Sequence, residues 1–182
     1  FQEWRKPAGG STRAVVIGTD AEDNGLGPWA LTRGTWEDIK TPEGIAVDRT
    51  YLNELGVSNI GDTAQIGQGR VKVRAMTDGI RSFTQSPFVF TPLQRARNLF
   101  GVEGEKASFY LVQLEPGVDA EKIRQRLVPM LEGAEVLTKH EFSERSRIGW
   151  LYRTGAGIAL IGGALLGILV GTVIVAQTLY SS

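Results

Sequence analysis

Short apolar runs bounded by turn residues alternate with helical spacing through the first 150 residues. Arg13–Gly18 (RAVVIG) reads as a strand running into the loop TDAEDNGLGP, and Gly44–Asp48 (GIAVD) as a buried strand. Arg49–Leu55 reads as a short helix stopped by Gly56. Thr63–Ile66 and Val71–Met76 read as a strand pair, set off by Gly61-Asp62 and by Gly67 and Gly69. Phe88–Phe90 is a further strand, and Pro92–Phe100 a helix opened by proline and closed by Gly101. Ala107–Leu114 (ASFYLVQL) has strand character, and Pro116-Gly117 turns the chain. From about Asp119 a helix sets Ile123, Leu127 and Leu131 at fourfold spacing, with Val128 beside them and Pro129 to end or kink it. Ala134–Leu137 is the expected returning strand. The result is a β-α-β unit in a mixed α+β domain.

Thr138 and Glu141 then have capping-box form, with Thr138 as N-cap and Glu141 at N3. The following FSERSRIGWLYRTGAG contains no strong stop. One helix is therefore expected to leave the domain and continue into an apolar segment, bending at Gly149, Gly155 or Gly157. With no slack linker, movement of one part would be felt by the other.

That segment, Thr154–Ala176 (TGAGIALIGGALLGILVGTVIVA), has two threonines as its only polar side chains. As a helix its 23 residues reach roughly 35 Å, against about 30 Å for a bilayer's hydrocarbon core. The buried core helix of a soluble domain is the other reading, but uncharged stretches of this length mark membrane spans. Trp150 and Tyr152 before it and Tyr180 after it stand where interfacial aromatic anchors belong. Gly155, Ala159, Gly163, Gly167 and Gly171 put a small residue at every fourth position, one stripe of a helix. Each glycine costs about 1 kcal/mol in a helix interior. Either glycine is simply commoner in membrane helices, or the stripe admits a closely packed partner helix. Five small residues in register favour the partner.

The 20 basic and 20 acidic residues give a net charge of zero, which removes any basic bias toward nucleic acid. All of them precede residue 154, a sharp composition boundary. Arg145, Arg147 and Arg153 lie beside the span and read either as lipid-headgroup contacts or as a solvated collar, the former preferred. The chain lacks cysteine, so it has neither a disulfide framework nor a thiolate metal site. The loop from Asp20 through Glu22, Asp23 and Asn24 has the acidic start of a calcium loop, but its twelfth position is Leu31 rather than glutamate. A solvated Asn-Gly turn explains it. His140 is the single histidine and has no nucleophile paired with it in sequence; no P-loop occurs. No catalytic constellation, metal site or cofactor site is expected. The opening at Phe1, without an initiator methionine, reads as a fragment or a processed product.

LNELGVSNIGDTAQIGQGRVKVRAMTDG (52–79) resembles the "LGV..GD.v.i.g..f.V.G" signature of periplasmic domains in MacB-like and FtsX-like ABC permeases. GWLYRTGAGIALIGGALLGILVGTVIVAQTLYSS (149–182) is similar to the second membrane helix of the DevC-type permeases of that superfamily. The PGVDAEKIRQRL helix and the VLTKHEF step into the stalk are similar as well. The resemblance implies a permease subunit of a mechanotransmission ABC exporter. Its extracytoplasmic domain (1–137), stalk helix (138–153) and transmembrane helix (154–180) would lie in and outside an inner membrane, with residues 1–150 in the periplasm. It also implies a second permease subunit as dimer partner, and a separate cytoplasmic ATPase that binds the ATP. A periplasmic adaptor protein, an outer-membrane channel and membrane lipid complete the implied partners. The positive-inside rule would put the visible Lys and Arg, and so the domain, in the cytoplasm. Large domains translocate largely regardless of charge, so the resemblance governs the orientation. The competing reading is the extracytoplasmic sensor domain of a membrane signalling receptor; a membrane-anchored enzyme lacks residues to support it.

Overall fold

The computed structural model describes residues 1–20, 26–81, 86–102, 104, 106–153 and 155–181. The acidic loop at 21–25 and Thr154 lie outside them, as do the side chains of Trp150 and Arg153. The chain divides into two compact units, Phe1–Gln113 and Leu114–Ser182.

In chain order the first unit contains β1 (Gln2–Arg5), β2 (Ser11–Thr19), β3 (Leu31–Arg33), α1 (Trp36–Lys40) and β4 (Gly44–Asp48). A single 3-10 turn, Arg49–Tyr51, leads into α2 (Leu52–Leu55). Then come β5 (Thr63–Ile66), β6 (Gly69–Thr77), β7 (Phe88–Pro92) and α3 (Leu93–Phe100). Local chemistry sets several boundaries. Thr35 Oγ1 accepts from the Asp38 N–H while Asp38 accepts from the Thr35 N–H at 2.8 Å, which starts α1. Gly56, at φ 67°, ends α2 in the left-handed conformation that glycine adopts without strain.

The strands form one mixed sheet in the order β3-β6-β4-β7-β2-β1-β5, and β5 also pairs with β6. Six of them therefore close into a ring, with β3 attached outside it on the edge of β6. Closure removes the free edges that an open sheet would present. Because strand side chains alternate between faces, the same strands feed two cores. Ile45, Val47 and Val89 point into a cluster with Trp4, Leu55, Ile66, Val71 and Val73. Ala46 and Phe90 join Ile39, Ala75 and Ile80 on the other face.

Trp4 is the largest fully buried side chain, and its indole N–H donates to the Leu55 carbonyl at 2.8 Å. It fixes the strand that closes the ring to the end of α2. Asp48 is likewise fully buried. Its carboxylate accepts from the Thr77 hydroxyl at 2.9 Å and from the backbone N–H groups of Ile80 and Thr50 at 2.8 and 2.9 Å. Burial pushes its pKa up, but the hydrogen bonds from Thr50, Ile80 and Thr77 together outweigh burial and hold it below the ordinary aspartate value. In the 52–79 segment, Asp62 accepts from the N–H groups of Ser58 and Asn59 at 2.7 and 3.0 Å, closing the turn between α2 and β5.

The second unit contains α4 (Ala120–Leu127), capped by Asp119, which accepts from the Glu121 N–H at 2.9 Å. A 3-10 turn over Val128–Met130 carries Pro129. Two helices follow, α5 (Lys139–Arg153) and α6 (Gly155–Tyr180). Ala107–Leu114 and Ala134–Leu137, expected as the strands on either side of α4, are not strands: neither joins a ladder among the described residues. Alternation and β-propensity describe a segment that suits a sheet, and a strand also needs a hydrogen-bonded neighbour. Phe109 to Val112 remain exposed accordingly. The α+β class is carried by the ring of strands and its helices instead.

Trp4→Ala is expected to destabilise the domain by about 4 kcal/mol, read as a lower midpoint in urea unfolding. Asp48→Ala, which leaves the Thr77 hydroxyl and the Ile80 N–H without their acceptor, is expected to cost about 3 kcal/mol. An unchanged midpoint in either variant would contradict these assignments.

Candidate membrane-coupling site

α5 begins on a hydrogen-bonded turn. The Thr138 N–H and hydroxyl donate to Glu141 Oε2 at 2.8 and 3.0 Å, and the Glu141 N–H donates to Thr138 Oγ1 at 3.3 Å. Arg124 of α4 approaches the same Glu141 oxygen at 3.7 Å. The Arg124 guanidinium is itself held by a two-point contact with Glu121, at 2.6 and 2.9 Å. The hydrogen bonds from Thr138, backbone first, hold the Glu141 carboxyl below its ordinary range, with Arg124 adding to them. The hydrogen bond from Arg124 does the same for Glu121.

The flanking charges divide. Arg145, expected at the lipid headgroups, pairs with Glu135 in the segment before α5. Arg147 and Tyr152 are exposed, and His140 stands 3.8 Å from Glu144 on the surface of α5. A Cβ added to Gly157 would collide with the Leu151 carbonyl oxygen. Six residues of straight helix span about 9 Å, so this approach means a sharp bend where α5 gives way to α6, and glycine is what fits there.

Among the described residues one helix is long and apolar enough to cross a membrane, Gly157–Tyr180. It is apolar around its circumference, and none of its most apolar window is buried against the rest of the chain. Its two threonines are satisfied internally: the Thr172 and Thr178 hydroxyls donate at 2.8 Å to the carbonyls of Ile168 and Ile174. Cβ atoms added at Gly155, Gly163, Gly167 or Gly171 would meet nothing within 4 Å, and Ala159 is exposed with them. Tyr180 stands exposed at the far end. Among the described residues no group of His, Asp and Glu side chains is placed to hold a metal.

The family model described as the MacB-like periplasmic core domain matches residues 3–130. The chain belongs to this family. The match takes in the whole strand ring, α4 and the 52–79 segment, and it ends shortly before the stalk. No curated protein matches the chain. Among solved structures, a crystal structure described as a domain of a permease protein from Porphyromonas gingivalis is similar at 14% identity, with a TM-score of 0.38. The similarity covers 55% of this chain and 50% of that one, so the chain spans half the length of the solved domain.

Arg124, Glu121 and Glu135 carry no signal in sequence beyond the spacing of Glu121 and Arg124 on one helix face. The contacts of Arg124 and Glu135 with α5 are a product of tertiary placement.

Because the carboxyl groups of Glu141 and Glu121 are held below their ordinary values, their contribution is present above about pH 4.3. It is lost as the pH falls through the lowered values. NMR secondary shifts of residues 139–142 are expected to lose helical character on that acidification. In Glu141→Gln this acid transition should vanish. Identical titrations of the two proteins would contradict the assignment.

Proposed function

We propose that this chain is the periplasmic domain, stalk and second membrane helix of a permease subunit in an ABC exporter of the mechanotransmission type, closest to the DevC-type permeases. The observation that carries the reading is the direct succession of a MacB-like periplasmic core domain by a capped helix and then by an apolar helix of 24 residues. In this reading α6 crosses the inner membrane, and residues 1–150 stand in the periplasm. A separate cytoplasmic ATPase binds and hydrolyses ATP, so the chain itself needs no nucleotide site. Two permease subunits pack along the stripe of Gly155, Ala159, Gly163, Gly167 and Gly171, where small side chains let backbones approach closely. Arg145, Arg147, Trp150, Tyr152, Arg153 and Tyr180 meet the lipid interface. The periplasmic domain works against an adaptor protein and an outer-membrane channel. Movement of α6 reaches it through α5.

The test uses the absence of native cysteine. Single cysteines at 159, 163, 167 and 171 should crosslink in membranes, and one at 165 should not. The crosslinks should change when ATP is supplied to the ATPase. Replacing Gly163, Gly167 and Gly171 together by Leu should impair transport while leaving the periplasmic domain folded. Crosslinking that ignores the helix face, or unaltered transport in correctly inserted protein, would contradict the reading.

A further inference from the structure

We infer that Arg124 is a positioning residue that locks α4 to the first turn of the stalk, so that the two helices move as one body. The inference rests on the permease reading for its consequence, but its geometry stands on its own.

Both partners of the bridge are placed before they meet. Glu141 is fixed by three hydrogen bonds of the cap with Thr138, and one of its oxygens, Oε2, accepts two of them while facing Arg124. Arg124 is fixed on α4 by its fork on Glu121, with Gln125 also donating to Glu121 at 3.2 Å. Exposed ion pairs contribute little when two mobile side chains must be ordered to form them. Here that ordering is already done by other bonds, and the Arg124 side chain is only 28% exposed. The Nε–H is given to Glu121, so the 3.7 Å approach to Glu141 is a charge contact. A delocalised guanidinium makes it while its N–H groups stay on Glu121, which an ammonium on a flexible stem does poorly. The Glu135–Arg145 pair joins the segment just before α5 to α5 one turn further along, and involves no residue of α4.

Neither helix depends on the bridge for its own existence. α4 has its Asp119 cap and α5 has its Thr138 cap. Loss of Arg124 should therefore free the angle between the helices without melting either one. A merely structural role would instead reduce helix content.

The test places spin labels at Lys122→Cys and Ser143→Cys, both exposed positions, in the full chain in phospholipid vesicles. The parent should give one narrow distance distribution. Arg124→Gln should broaden it at unchanged circular dichroism, and Arg124→Lys should fall between. Equal widths in parent and Arg124→Gln overturn the inference. If Arg124→Gln loses helix content, Arg124→Lys decides: a width like the parent's overturns the inference, and a broader one supports it. A second measurement adds the partner ATPase and Mg·ATP and follows a label pair at Lys122→Cys and Gln177→Cys. The parent distance should shift, and Arg124→Gln should lose the shift. A shift that persists in Arg124→Gln overturns the coupling while the permease reading stands. A parent that never shifts contradicts the permease reading, and the joint is then judged on the widths alone.

Discussion

Water cannot cover a helix that is apolar around its whole circumference at tolerable cost. α6 presents such a surface, with Leu160, Leu165, Leu166, Ile168, Leu169, Ile174 and Leu179 all exposed. At about 25 cal/mol per Å² of apolar area, this surface demands another covering, and the length of the helix matches a bilayer. Everything beyond Thr138 follows from that demand. Backbone polar groups are satisfied within the helix, its threonines bond back to its own carbonyls, and no charge follows Arg153. The periplasmic core domain ahead of it contributes folded mass, and α5 is the covalent path between them.

The ring of strands answers a different constraint. A mixed sheet that combines two parallel pairs, β2 with β7 and β4 with β6, with antiparallel ones has no single hairpin logic. It closes because β5 pairs with both β1 and β6. The burial of Trp4 at that closure explains why a four-residue strand with one apolar side chain holds its place. Asp48 and Arg95 serve the same end with polar chemistry. Arg95 of α3 donates to the carbonyls of Gly44 and Thr41 at 2.6 and 2.9 Å, anchoring α3 to the turn before β4.

Sequence patterns revealed the elements whose signals are local. Gly44–Asp48, the pair at 63–66 and 71–76, and the helix ending at Gly101 are apolar runs or amphipathic turns with glycine stops. β1 carried no such signal, because QEWR becomes a strand only through partners on both sides. α1 lacks the usual helix-start signal, although Thr35 and Asp38 hold the spacing of a capping box. Aspartate stands there where glutamate or glutamine is usual. Ala107–Leu114 shows the opposite error, a strand pattern without a ladder. In the coupling site, the spacing of Thr138 and Glu141 marks a hydrogen-bonded turn directly. The Arg124–Glu141 and Glu135–Arg145 contacts join segments whose approach no spacing fixes.

The central claim is that a periplasmic domain is carried by a helix that crosses the membrane. It is tested most directly by single cysteines at Ser58, in the domain, and at Ser181, beyond α6, probed with a membrane-impermeant maleimide. With the outer membrane permeabilised and the inner membrane intact, the account predicts labelling at 58, and at 181 only after the inner membrane is opened. Labelling of both from the periplasmic side, or of 181 alone, would contradict it.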